Sequence, residues 1–280
     1  MPRRAELTLA YQPPLDWAAL LDFLRPRATP GVERVERDAY RRTVSLPGGP
    51  ALLEVRPAGE DTLLMTLPGA TAEAVARVRR LADLDADHAG IAAHLARDPL
   101  LAPLVQAFPG VRLPGGWDGF ELAVRAIIGQ QVSVAGATTI AGRIAVRFGA
   151  ATALGEGFTR LFPPPAALAE ADLTGIGFPT ARGRAINALA TAVRDGELAL
   201  DGTQPILEAK AALLRLPGIG PWTAEYVALR ALLDRDAFPA SDLVLRRALA
   251  DASRAEAWRP YRAHAAIYLW RAAAMGSSSK

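Results

Sequence analysis

The chain contains no cysteine. That excludes a disulfide framework, a thiolate-ligated zinc and a cysteine-held iron–sulfur cluster. Histidine is nearly as scarce: His88, His94 and His264 form no metal-type constellation, and the spacing of the first two suits no single helix face. Lys210 and Lys280 are the only lysines, so nearly all positive charge is arginine. Arginine binds phosphate bidentately and stacks on bases, although arginine and alanine richness with little lysine also reflects genomic base composition. Neither sign of charge dominates, with 32 basic against 29 acidic residues and a formal charge of +3. This allows a local nucleic-acid-binding face but not a coat of positive charge. No apolar run reaches the ~18 residues needed to span a bilayer. The N-terminal MPRRAELTLAYQPP lacks the apolar core of a signal peptide. A cytoplasmic, nucleoid-associated protein with no membrane partner is expected.

What is present is apolar and patterned. Of 280 residues, 51% are hydrophobic, enough for a globular chain of two or three subdomains. Residues 1–90 read as an α+β unit. Leu7, Leu9 and Tyr11 alternate with polar or small residues, and TVSL, ALLEV and TLLMTL follow as strand-like runs between Gly, Pro and Asp turns. LDWAALLDFL carries Trp17, Leu20, Leu21 and Leu24 at helical spacing. Few strands ahead of a long helical remainder predict a small antiparallel sheet with helices on one face.

The remainder reads as two helical parts, 118–234 and 91–117 plus 235–275, with a disordered tail at 276–280. Asp118 followed by Glu121 has the spacing of a capping box. Gln130 and Gln131 lie between two apolar helices. They form either a surface turn or a pair able to bond base edges. LTGIGFPTA and LPGIGPWTA both fit L-x-G-I-G-x-x-T-A. The first is a plain glycine-capped turn or a second backbone anchor; beside it Arg182 and Arg184 face phosphate or solvent. The second lies between the apolar stripes Ile206, Leu207, Leu213, Leu214 and Ala224, Val227, Ala228, Leu232. It therefore joins two helices as a hairpin. Its glycines bare N–H groups at a helix N-terminus, where an anion such as phosphate can sit. Asp242 then opens a third helix as its N-cap.

LPGIGPWTA with an aspartate about twenty residues later resembles the helix-hairpin-helix DNA glycosylases. YQPPLDW, RLPGGWDGFELAVRAIIGQQVSVA and LPGIGPWTAEYVALRAL, in that order, extend the resemblance over nearly the whole chain to bacterial 3-methyladenine DNA glycosylase II, the AlkA type. That resemblance implies an α+β fold: a small TBP-like antiparallel sheet followed by two mainly α-helical subdomains, with the active site between these. It implies a monomer that flips alkylated bases out of double-stranded DNA and hydrolyses their N-glycosidic bonds in base-excision repair. Trp222 stands where lyase-active relatives carry a lysine nucleophile, so no strand cleavage is expected. Asp242 is the implied catalytic carboxylate, with Arg246 one turn on as its partner. Phe23, Trp222, Tyr226 and Trp270 are the implied pocket aromatics, and Leu243 replaces an aromatic wall. Gln130, Gln131, Gly218, Gly220 and Thr223 are implied to meet DNA, Gln131 in an apolar wedge position. The carbonyls of Leu214, Leu216 and Ile219 are implied to hold Na+ or K+, and no other cofactor is required. Lesions of the 3-methyladenine and 7-methylguanine type are expected, with 1-methyladenine and 3-methylcytosine as further candidates. The alternative is a non-enzymatic DNA-damage or DNA-structure binder that keeps the hairpin but needs neither Asp242 nor the aromatics.

Overall fold

The computed structural model describes residues 4–249 and 251–278. Strands β1 (Arg4–Ala10), β2 (Glu33–Glu36), β3 (Ala39–Leu46), β4 (Gly49–Gly59) and β5 (Thr62–Pro68) form one antiparallel sheet in the order β1-β5-β4-β3-β2. Period-two alternation puts Ala51, Leu53 and Val55 of β4 and Leu63, Met65 and Leu67 of β5 inward. Helices α1 (Trp17–Leu24) and α2 (Ala72–Leu81) cover that face with Trp17, Leu20, Leu21, Leu24, Val78 and Leu81. The expected antiparallel sheet is present, with one strand more than its apolar runs announce. β2 reads ERVE and buries only Val35, because an edge strand has few neighbours to pack against.

The helical remainder comprises α3 (His88–Leu95), α4 (Ala102–Ala107), α5 (Gly119–Ile128), α6 (Val134–Phe148), α7 (Pro165–Leu168), α8 (Thr180–Arg194), α9 (Ile206–Arg215), α10 (Pro221–Ala231), α11 (Leu243–Ala248) and α12 (Arg262–Ser278). α5 is its axis, apolar nearly all round and packed against α6, α8 and α10. α12 runs to Ser278, so Gly276–Ser278 are helical where a disordered tail was expected; Ser279 and Lys280 lie outside the described residues. No described helix is long and apolar enough to cross a membrane.

Only half of the expected capping box forms. Asp118 accepts the Glu121 N–H (2.9 Å), but the Glu121 carboxylate turns to the Arg42 guanidinium (2.7 Å) on β3. Both side chains are about 95% buried, and Glu33 lies 3.4 Å from the same guanidinium. This ionic group joins sheet to helices.

A second polar cluster lies between Asp83, His88, Arg112 and His264, all buried. Arg112 donates to the carbonyls of Asp83 and Ala86 (3.1 Å each), and His264 Nε2 lies 3.3 Å from Asp83. Burial pulls His264 below its usual value, against the opposing pull of Asp83. Burial, the Arg112 charge and His264 pull His88 down to about 4. The unfolded chain therefore binds more protons than the native state below the ordinary histidine value. The stability His88 contributes is full above about pH 6.5 and is lost as pH falls toward 4, and the lowered His264 acts with the same sign. Urea melts are expected to lose about 1–2 kcal/mol through His88 between pH 7 and 5, with His264 acting in the same direction. His88→Gln should remove part of that slope; an unchanged slope would assign it to the carboxylates.

Candidate active site

Trp222, Tyr226 and Arg230 recur at four-residue spacing and share one face of α10. Pro221 occupies the first helical position, where its missing N–H costs nothing. No side chain caps this helix at Gly220, so its first-turn N–H groups are left to another partner. Gly218 has φ +77, and a Cβ there would lie 3.1 Å from that of Ala185 on α8, so the turn requires glycine. Nothing lies within 4 Å of a Cβ built on Gly220. The hairpin backbone is open at that point.

Asp242 caps α11. Its Oδ1 accepts from the N–H groups of Val244 (3.0 Å) and Leu245 (3.2 Å), and also from the indole of Trp270 (3.0 Å). Its Oδ2 accepts from the indole of Trp222 (3.2 Å). Four N–H donors from three helices thus orient one carboxylate. The expected partner Arg246 is not among them: its side chain is exposed, and among the described residues no cation pairs with Asp242. One turn on along a helix from its cap, Arg246 faces outward while the indoles converge from within.

Asp242 lines a cavity of about 870 Å³ together with Phe23, Trp222, Tyr226, Arg230 and Trp270. Trp222 stacks on Tyr226 with centroids 5.2 Å apart and planes 14° apart, and Trp270 tilts against Tyr226 at 6.1 Å. A planar, electron-poor ring is the natural guest of such walls. Phe23 is partly occupied: the guanidinium carbons of Arg27 and Arg230 lie 3.8 and 4.9 Å from its centroid. Leu243 does not line the cavity and is 59% exposed; Val244 lines it instead.

Among the described residues, six arginines line the cavity and none had been anticipated there; Arg230 and Arg27 are the two that flank Phe23. Arg230 is buried and donates to the Tyr226 hydroxyl (2.9 Å) and to the carbonyls of Pro114 and Gly115. Its spacing from Trp222 and Tyr226 was a usable signal. Arg27 donates to the Phe23 carbonyl (2.8 Å), and nothing local marks it. Burial alone would raise the Tyr226 phenol. The charges of Arg230 and Arg27, with the hydrogen bond from Arg230, outweigh burial, and its pKa lies below the usual value.

The glutamine loop flanks the cavity, which Gly129 and Val132 line. Gln130 turns inward: its Nε2 donates to the Gly218 carbonyl and to Thr223 Oγ1, both at 2.9 Å. Thr223 is itself buried. These two residues brace the protein, while Gln131 is exposed. The LTGIGFPTA echo ends where α8 begins. Arg143 and Arg147 donate to its Ile176 (2.9 Å) and Thr174 (2.8 Å) carbonyls, Arg182 turns to the protein, and Arg184 is exposed.

Residues 6–118 match the AlkA N-terminal domain, and residues 124–271 match the HhH-GPD superfamily base excision DNA repair proteins. The chain is 34% identical over 279 residues to DNA-3-methyladenine glycosylase 2 of Escherichia coli, covering 94% of this chain and 96% of that protein. It is 40% identical over 278 residues to the probable bifunctional transcriptional activator/DNA repair enzyme AlkA of Mycobacterium tuberculosis, covering 94% of this chain but only 56% of that one. The fold of a 3-methyladenine DNA-glycosylase from Archaeoglobus fulgidus superposes with a TM-score of 0.80 at 24% identity, covering 94% of this chain and 96% of that one. By sequence, the chain belongs to the HhH-GPD superfamily of base excision DNA repair proteins through residues 124–271, and to its AlkA-type branch through the AlkA N-terminal domain at residues 6–118.

Proposed function

We propose that the chain is a monofunctional DNA glycosylase that hydrolyses the N-glycosidic bond of alkylated bases, working as a monomer on double-stranded DNA. The observation that carries this reading is the Asp242 carboxylate, held by two indole N–H groups at the wall of an aromatic cavity beside an open glycine hairpin. A base must leave the stack to enter such a cavity, which costs a few kcal/mol. Stacking on Trp222, Tyr226 and Trp270 offsets part of that cost. An alkylated purine such as 3-methyladenine is already cationic and leaves readily, so the remaining need is to stabilise positive charge developing on the sugar. A fixed carboxylate does this electrostatically and can orient the attacking water.

The hairpin at Gly218 and Gly220 would receive a backbone phosphate on the uncapped N-terminus of α10. The exposed Arg246 and Arg247, in no ion pair among the described residues, would add phosphate contacts nearby. The carbonyls of Leu214, Leu216 and Ile219 would hold a Na+ or K+ ion that adds positive charge at this turn. Leu216 accepts the Ile219 N–H (3.3 Å) and keeps a second lone pair for it. Gln131 would enter the gap left by the flipped base.

The lining supports hydrolysis without strand cleavage. Among the described residues no lysine borders the cavity, and Lys210 is paired with Glu225 (2.7 Å) and Asp234 (3.5 Å). A Schiff base with the sugar would need an amine that the described lining does not offer. Oligonucleotides carrying 3-methyladenine, 7-methylguanine, 1-methyladenine or 3-methylcytosine are expected to yield abasic product that stays intact until alkali or an abasic endonuclease is added. Strand breaks before that addition would refute the monofunctional reading. Binding with no excision of any lesion would favour the pure binder.

A further inference from the structure

We infer that Arg182 is a positioning residue for base extrusion, acting through Gln130 on Gln131; the inference rests on the glycosylase reading above. Arg182 lies in the first turn of α8, directly after the LTGIGFPTA echo. Its Nη2 donates to the Gln130 carbonyl (2.6 Å), which belongs to the peptide joining Gln130 to Gln131. On the other side, the Gln130 amide donates to Gly218 and Thr223 of the hairpin. One residue thus links α8, the loop and the hairpin.

Gln131 has φ +55. A residue with a Cβ holds that conformation only where its surroundings impose it. Here Arg182 fixes the preceding peptide, and the Val132 N–H closes the turn onto the Gly129 carbonyl (3.3 Å). Arg182 meets no carboxylate among the described residues, so its guanidinium is devoted to this carbonyl. A side chain entering a base stack is pushed back by it. The brace passes that load to α8 and to the hairpin, which is itself held on the DNA backbone. The echo motif thus leads directly into the helix turn that carries this brace.

Wild type, Arg182→Met and Arg182→Lys are compared in single-turnover excision of one alkylated base, placed either in a paired duplex or in a single-nucleotide bulge. Arg182→Met should lose about thirtyfold in the duplex, as small misplacements near a reacting centre do. It should lose less than about threefold in the bulge, where the stack is already broken. Arg182→Lys should recover most of the duplex rate, because an ammonium still donates to the carbonyl. The salt dependence of duplex affinity should keep the wild-type slope. Equal losses in both contexts, no loss in the duplex, or a salt slope lower by about one, the mark of a lost phosphate contact, would each overturn the inference. If wild type excises neither substrate, the glycosylase reading fails instead. The brace is then read from the fluorescence of 2-aminopurine opposite the lesion: a signal lost in Arg182→Met upholds it, and an equal signal overturns it.

Discussion

Asp242→Asn is expected to lower single-turnover excision of an alkylated base about a thousandfold, the scale on which removing a fixed electrostatic partner acts, while the fold and DNA affinity persist. The substitution is selective because Asp242 has two duties. As N-cap it needs only an oxygen facing Val244 and Leu245, and asparagine supplies one equally well. The same oxygen can keep the Trp270 bond. What asparagine cannot supply is the charge, and its NH2 would face the Trp222 indole N–H, donor against donor. Asp242→Ala should lose excision equally and about 1 kcal/mol of stability besides. Excision by Asp242→Asn within tenfold of wild type would remove this carboxylate from the proposed chemistry and leave it a helix cap. Urea melts and a DNA titration run alongside exclude misfolding as the cause.

Arg42→Met should have the largest effect on stability. It leaves the buried Glu121 and the half-buried Glu33 without their cation, a loss of about 3–5 kcal/mol in comparable cases. Burial disfavours the charge of Arg42, but Glu121, Tyr40 and Glu33 outweigh it, and the guanidinium is held firmly protonated. The penalty falls on the junction between sheet and helices, because Arg42 belongs to β3 and Glu121 to α5. The double variant Arg42→Met, Glu121→Gln should recover a large part of the loss, since the orphaned charge is then gone. Additive losses in that cycle, measured by urea denaturation, would mean that the two side chains contribute independently.

Much of the site lay in local pattern. The glycine turn, the aspartate cap and the four-residue spacing of Trp222 and Tyr226 are short-range features, governed by backbone geometry and helical pitch. Chain order alone therefore gave the hairpin, the third helix and the aromatic face of α10. It also separated the α+β part from the helical part, because hydrophobic periodicity changes from two to 3.6 where sheet gives way to helix.

Other features depend on residues far apart in the chain, and only the folded structure decides them. Trp270 reaches Asp242 across 28 positions, and Arg42 reaches Glu121 across 79. Each side chain had a satisfactory local alternative: Arg246 for Asp242, and the capping box for Glu121. Gln130 and Gln131 are neighbours of the same type, yet one turns into the hairpin and the other out to solvent. A left-handed φ at Gln131 separates them, and that φ is held by a guanidinium 52 positions from Gln130. Sequence by itself determined most of the elements, the edge strand β2 excepted, because propensity and periodicity act within a few residues. Tertiary structure alone decided which polar groups meet, because a buried donor takes whichever acceptor packing brings within about 3 Å.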